Sequence, residues 1–142
     1  MTKKNIYSIV GHLILFKQKE LTLTKRNIVH IEIPTRNFEE SGEFYKKLFD
    51  WKIMPMPELN YSMWEPAEGP GGGFNPLGKD VKVDRVLIYI DSDDIAADLK
   101  KAQSLGAKII KDKSEIPGYG WFGIFKDPTG NSIALYKATN PS

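Results

Sequence analysis

No cysteine occurs anywhere in the chain, which excludes disulfides, thiolate catalysis and cysteine-ligated zinc or iron–sulfur centres. Histidine is nearly as scarce, represented by His12 and His30 alone. Neither sits in a nucleophile-elbow pattern, so serine and threonine nucleophiles lack a convincing base. An excess of charge of one sign is also missing. Twenty Lys and Arg stand against eighteen Asp and Glu, for a net charge of +2. The lysines are scattered rather than clustered, which argues against nucleic-acid and membrane partners. Long hydrophobic runs are absent too. The longest, Ile6 to Phe16 (IYSIVGHLILF), is broken by Ser8, Gly11 and His12 and falls far short of the ~20 residues that span a bilayer. No small-x-small cleavage site follows it, so a cytoplasmic protein is expected. Residues 1–25 then form an N-terminal extension, serving as an extra edge strand, a subunit contact or a leader, with His12 a tolerated polar residue in it.

The remainder has the make-up of a globular chain. Of 142 residues, 41% are hydrophobic and 27% charged, enough for one core and one domain. That domain is expected over residues 26–138, followed by a tail at 139–142.

From Asn27 the pattern is regular. Val29, Ile31 and Ile33 alternate with His30 and Glu32, as in a strand with two unlike faces. Pro34 is expected to end that strand. Asn37 can then cap a helix, with Glu40 in the capping-box position and Phe38, Tyr45, Leu48 and Phe49 as the buried stripe. Strands follow at Trp51 to Met56, at Tyr61 to Glu65 and, after the glycine-rich run Gly69 to Gly73, around Phe74. The plan then restarts. Val86, Ile88 and Ile90 form a strand stripe, Ser92 can cap, and Ile95, Leu99, Ala102 and Leu105 line a helix closed by Gly106. The last strands are Trp121 to Lys126 and Ser132 to Tyr136, joined by the turn Asp127-Pro128-Thr129-Gly130. One offset relates the halves, because Ile31 and Ile88, Ile33 and Ile90, Phe38 and Ile95, Leu48 and Leu105, and Ile53 and Ile110 are each 57 apart. This internal repeat predicts two copies of a strand–helix–strands unit rather than a generic α+β domain. The run Gly69-Pro70-Gly71-Gly72-Gly73 is not a phosphate loop, since no Lys-Ser or Lys-Thr follows and no helix opens there.

The segment NIVHIEIPTRNFEESGEFYKKLFDWKI, the restart, and GWFGIFKDPTGNSIALYK together resemble the vicinal oxygen chelate superfamily, which includes glyoxalase I, extradiol dioxygenases and bleomycin-resistance proteins. The likeness extends from Asn27 to about Lys137. It implies an α+β fold of paired βαβββ units forming a curled mixed sheet around a cavity, commonly in a homodimer. In metal-dependent members it implies ligands on the first and last strands of each unit. His30 occupies the first such position. The 57-residue offset carries it onto Leu87, and a slip of two residues would offer Arg85; neither suits a divalent cation. The next position falls within Gly72 to Phe74, and the last falls on Ala134, whose methyl group would leave room where a carboxylate would coordinate.

A single histidine does not make a catalytic metal site, which ordinarily has three protein ligands. No metal or other cofactor is therefore expected, and the chain reads as a small-molecule-binding protein. The residues expected at the ligand are His30, Glu32, Trp64, Arg85, Leu87, Tyr89, Trp121 and Ala134. Met63 and Tyr119 could add further apolar surface. His30 and Glu32 share one strand face, the arrangement of a base and its orienting carboxylate, although a ligand-contacting or structural histidine is the commoner outcome. The alternative is a lyase, isomerase or dioxygenase of the same superfamily with a metal rearranged around His30.

Overall fold

A computed structural model describes residues 25–139; the segment Ile6 to Phe16, His12 and the final three residues lie outside the described residues. The chain runs β1 (Ile28–Thr35), α1 (Phe38–Phe49), β2 (Lys52–Met56), a short 3-10 turn (Pro57–Leu59), β3 (Tyr61–Glu65), β4 (Gly72–Pro76), β5 (Leu87–Asp91), α2 (Ile95–Ser104), β6 (Lys108–Ile116), β7 (Gly120–Lys126) and β8 (Ser132–Ala138). This is the expected α+β pattern, βαβββ twice, and the offset of 57 carries the first residue of α1 onto the first of α2. The chain divides into two compact units, the first His30–Leu87 and the second comprising residues 25–29 and 88–139.

In the first unit the strand order is β2-β3-β4-β1. β2 and β3, and β3 and β4, are antiparallel, whereas β4 and β1 are parallel, with Glu32 opposite Gly73 and Ile33 opposite Phe74. The helix packs on one face through aromatic stacking. Tyr45 stacks on Trp51 (5.1 Å between centroids) and on Phe74 (5.7 Å), and Trp51 stacks on Trp64 (4.1 Å). Phe74 and Met63 have no exposed surface, and each such side chain contributes ~1.5–3 kcal/mol by leaving water. Gly42 lets α1 approach the sheet, since a β-carbon there would lie 3.1 Å from Ile53 Cγ2.

Three expectations for this unit are corrected. Pro34 does not end β1, which continues to Thr35. Asn37 does cap α1, its Oδ1 accepting from Glu40 N at 2.8 Å, but the return bond comes from upstream: Asn37 N donates to Thr35 Oγ1 at 3.0 Å. Leu48 and Phe49 are not buried. They are 57% and 54% exposed: Leu48 lies off the side of α1 turned to the sheet, which is centred on Gly42 and Tyr45, whereas Phe49, the last residue of the helix, is on that side and packs on Tyr45 and Trp51.

In the second unit β6-β7-β8 are successively antiparallel and β8 is parallel to β5, with Tyr89 opposite Ala134. α2 buries Ile95 and Leu99 against Leu135, flanked by Ile90, Ile109, Trp121 and Phe125. Its cap is Asp94, which accepts from Ala97 N at 3.0 Å, rather than Ser92. Ser92 Oγ instead donates to Asp98 Oδ2 at 2.6 Å, and Arg26 also donates to that oxygen. Burial pushes the Asp98 carboxyl up, but the bonds from Arg26 and Ser92 outweigh it and hold the group below its usual range. Leu105 falls outside α2 and is 70% exposed, mirroring its repeat partner Leu48.

Candidate functional site

Alternation along β1 places His30 and Glu32 on the sheet face opposite α1, as the sequence predicts. β3 and β4 bring two further polar side chains to them. Tyr61 Oη donates to Glu32 Oε2 at 2.6 Å, His30 Nε2 lies 2.9 Å from the same phenol oxygen, and Asn75 Nδ2 donates to Glu32 Oε1 at 3.2 Å. The phenol has a single proton and the carboxylate can only accept. The phenol oxygen therefore accepts from His30 Nε2–H, which assigns the imidazole tautomer. Burial pushes His30 down to about 3 from an ordinary value of 6.5, leaving it neutral near pH 7. The Glu32 carboxylate, 4.0 Å from Nε2, favours the imidazolium, but it is already engaged by Tyr61 and Asn75, and desolvation prevails.

Gly73 makes this arrangement possible. A β-carbon at that position would sit 2.1 Å from Tyr61 Oη and 2.2 Å from Cζ, so the phenol occupies the space a side chain on β4 would fill. The position expected in the superfamily for a ligand on the last strand of the first unit is thus taken up by a hydroxyl reaching across from β3.

Trp64 lies on the opposite face of β3, where it stacks on Trp51 and donates through Nε1 to Gly73 O at 3.2 Å. It belongs to the aromatic core behind the sheet rather than to the face bearing His30. Met63, next to it, is on the His30 side and fully buried. Arg85 is exposed in the turn before β5, and Leu87, the first residue of β5, is half-buried. Within the second unit Tyr89 and Ala134 are register partners, equivalent in the repeat to Glu32 and Gly73. Ala134 has no exposed surface, so its methyl group does not border open room. Trp121 packs toward α2 with Leu99 and Leu135, and Lys113 Nζ sits 4.8 Å from its ring; Ala134 faces the other way. Tyr119 offers its backbone oxygen to Tyr136 Oη at 3.0 Å.

These donors do not suit a divalent ion of the family type. His30 Nε2 and both Glu32 oxygens are engaged by Tyr61 and Asn75, and the β4 residue opposite Glu32 is glycine. Among the described residues, no three His, Asp or Glu side chains gather where they could hold a metal ion. What the arrangement offers instead is a polar wall, with a neutral imidazole, a phenol, a carboxylate and an amide joined in series. Sequence reasoning missed Tyr61 and Asn75. The signal for Tyr61 was present in β3, where alternation allows only one of the neighbours Met63 and Trp64 on the His30 face, and places Tyr61 beside Met63.

The profile of the Glyoxalase/Bleomycin resistance protein/Dioxygenase superfamily matches residues 27–135. No functionally curated protein sequence matches the chain. Among solved structures, a hypothetical protein from Bacillus halodurans C-125 superposes with a TM-score of 0.64 at 13% identity, over 84% of this chain and 99% of that one. A glyoxalase/bleomycin resistance protein/dioxygenase superfamily member from Vibrio splendidus 12B01 superposes at 0.58 and 10% identity, over 80% and 99%. The methylmalonyl-CoA epimerase of Streptomyces coelicolor, in complex with 2-nitronate-propionyl-CoA, superposes at 0.56 and 17% identity, over 83% and 99%. At these identities the likeness concerns the fold.

Proposed function

Because the chain belongs to the Glyoxalase/Bleomycin resistance protein/Dioxygenase superfamily, we propose that it uses that fold to bind a small organic molecule without a metal ion. The observation that carries this reading is the Tyr61 hydroxyl, hydrogen-bonded at once to His30 and Glu32, where a metal would have to displace it. Neutral His30 and the carboxylate of Glu32 then serve as hydrogen-bonding groups rather than ligands. Tyr61 and Asn75 are half-buried, so a ligand bearing hydroxyl, carbonyl or amine groups meets the network from their end. The role that fits is sequestering, carrying or sensing such a compound. No helix among the described residues is long and apolar enough to cross a membrane.

A thermal-shift screen of small oxygenated compounds, run with a chelator present, tests the proposal. A compound that raises the melting temperature, with the rise diminished in Asn75→Ala and Tyr61→Phe, supports it. A rise that needs an added divalent ion, or that both variants leave intact, overturns it in favour of metal-dependent chemistry or another surface.

A further inference from the structure

In the second unit, three lysines scattered along the chain meet on one face of the sheet. Lys108 opens β6, Lys126 closes β7, and the two are register partners. Directly opposed residues of an antiparallel pair stand ~4.5–5.5 Å apart at Cα and leave the sheet on the same side, and like charges so placed repel. Lys111 joins them through a bulge. The ladder pairs Ile109 with Phe125, and continued without a shift it would set residue 111 opposite Gly123, on the side covered by Ile95 and Leu99 of α2. One extra residue in β6 pairs Lys111 with Ile124 instead. That shift turns Lys111 to the face of Lys126, its diagonal neighbour at ~7–8 Å. Among the described residues, the ion pairs involve none of these three lysines. The adjoining Asp127 carboxylate is engaged by its own turn, accepting from Thr129 N, Gly130 N and Asn131 N.

We infer that Lys108, Lys111 and Lys126 bind the phosphate group of a small phosphate ester, whose organic part lies along Phe122 and Ile124. A phosphate ester is close to a dianion near pH 7, and lysine holds phosphate as a mobile point charge with three donors. Such a group offsets the repulsion among three ammonium ions, whereas a carboxylate offers a single charge. Phe122 and Ile124 alternate with Lys126 along β7 and so share its face, and both are half-buried, which gives the organic part an apolar surface. Lysines on an edge strand also guard it against pairing with other chains, and β6 is an edge strand of the sheet. Edge protection accounts for Lys108 and Lys111 but not for Lys126. That residue is half-buried on an inner strand, paired to β6 on one side and to β8 on the other. The inference goes beyond the ligand site of the first unit and shares no residue with the network of His30, Glu32, Tyr61 and Asn75.

The test is titration of the full chain with phenyl phosphate, followed by proton–nitrogen correlation spectra at neutral pH and ~150 mM salt. Saturable shifts should centre on the amides of residues 108–111 and 122–126, with a dissociation constant on the order of 0.1–1 mM. Lys108→Gln, Lys111→Gln and Lys126→Gln should each raise that constant about threefold or more. Lys113→Gln should leave it unchanged, because Lys113 belongs to the same strand but its Nζ sits 4.8 Å from the Trp121 ring, on the side of α2. Benzoate, with the same ring and one charge fewer, should bind at least about threefold more weakly. Each of the three site variants relieves repulsion and should melt no lower than the parent without ligand, so a lost shift reports binding rather than folding. Failure of phenyl phosphate to shift these amides overturns the inference. So do shifts that Lys126→Gln leaves intact, which would reduce the lysines to edge protection, or equal weakening by Lys113→Gln, which would mean attraction to general positive charge. Benzoate binding as tightly as phenyl phosphate overturns the assignment to a phosphate ester.

Discussion

Replacing Tyr61 with phenylalanine removes one oxygen atom and two hydrogen bonds together. The phenol accepts from His30 Nε2–H at 2.9 Å and donates to Glu32 Oε2 at 2.6 Å. The ring remains, so packing against neighbours is preserved and the cost is almost wholly polar. A neutral bond contributes ~1 kcal/mol and one to a carboxylate ~1.5–3 kcal/mol, with a further penalty when a buried partner is left unsatisfied. The side chains of His30 and Glu32 are only 11% and 12% exposed, so water compensates little. The expected loss is ~2–4 kcal/mol. Urea unfolding at pH 7 measures it as a lower midpoint with an unchanged m-value. A double-mutant cycle with Glu32→Gln should show non-additivity of ~1–2 kcal/mol, as for two members of one network. A loss below ~0.5 kcal/mol, typical of surface substitutions, or strict additivity, would refute the idea that Tyr61 joins buried His30 and Glu32 in one network.

Other consequences can be measured in the same way. His30 titrates at about 3 in the folded chain against an ordinary 6.5, so above pH 6.5 neither state binds the proton and stability is unaffected. Below 6.5 the unfolded chain takes up a proton that the folded chain refuses. Stability should then fall by up to about 1.4 kcal/mol per pH unit until the folded value is reached, and His30→Gln should flatten this slope in pH-dependent urea titrations; an unchanged slope counts against a buried neutral His30. Gly73→Ala drives a methyl group into the Tyr61 phenol, so it should cost at least as much as losing both hydroxyl bonds, ~3 kcal/mol or more. A variant within 1 kcal/mol of the parent by the same titration would show that the phenol has somewhere else to go. Trp64→Ala should lose ~3–5 kcal/mol as a core truncation; near-parental stability would mean that Trp64 is not core.

The paired-unit fold could be read from the chain because two independent periodicities agreed. Strand alternation around Ile31 and Ile88 and helical spacing from Phe38 and Ile95 carry the same offset of 57. β3, from Tyr61 to Glu65, emerged with its bounds intact, a turn-forming asparagine, Asn60, standing in the left-handed region immediately before it. Leu48 was wrongly placed in the buried stripe of α1 because hydrophobicity alone does not say where the side that meets the sheet is centred. Gly42, which contributes nothing to a hydrophobic pattern, decides that. At the candidate site, His30 and Glu32 were legible from one strand. Tyr61 and Asn75 depend on how β3 and β4 align with β1, and register between strands distant in sequence leaves no mark in either strand alone. Trp64 and Trp121 were drawn to the site by their chemistry, whereas the pleat turns both toward a helix.

The Tyr61-linked pair of His30 and Glu32 is expected to hold no metal ion. The decisive measurement is elemental analysis of metal per subunit, after exposure of the purified full chain to nickel, zinc, manganese and ferrous iron in turn and then desalting. Retention far below one ion per subunit for every metal, unchanged by His30→Ala, is the predicted result. Near-stoichiometric retention that disappears in His30→Ala would contradict it, showing that the metal displaces Tyr61 and that the site is a metal centre.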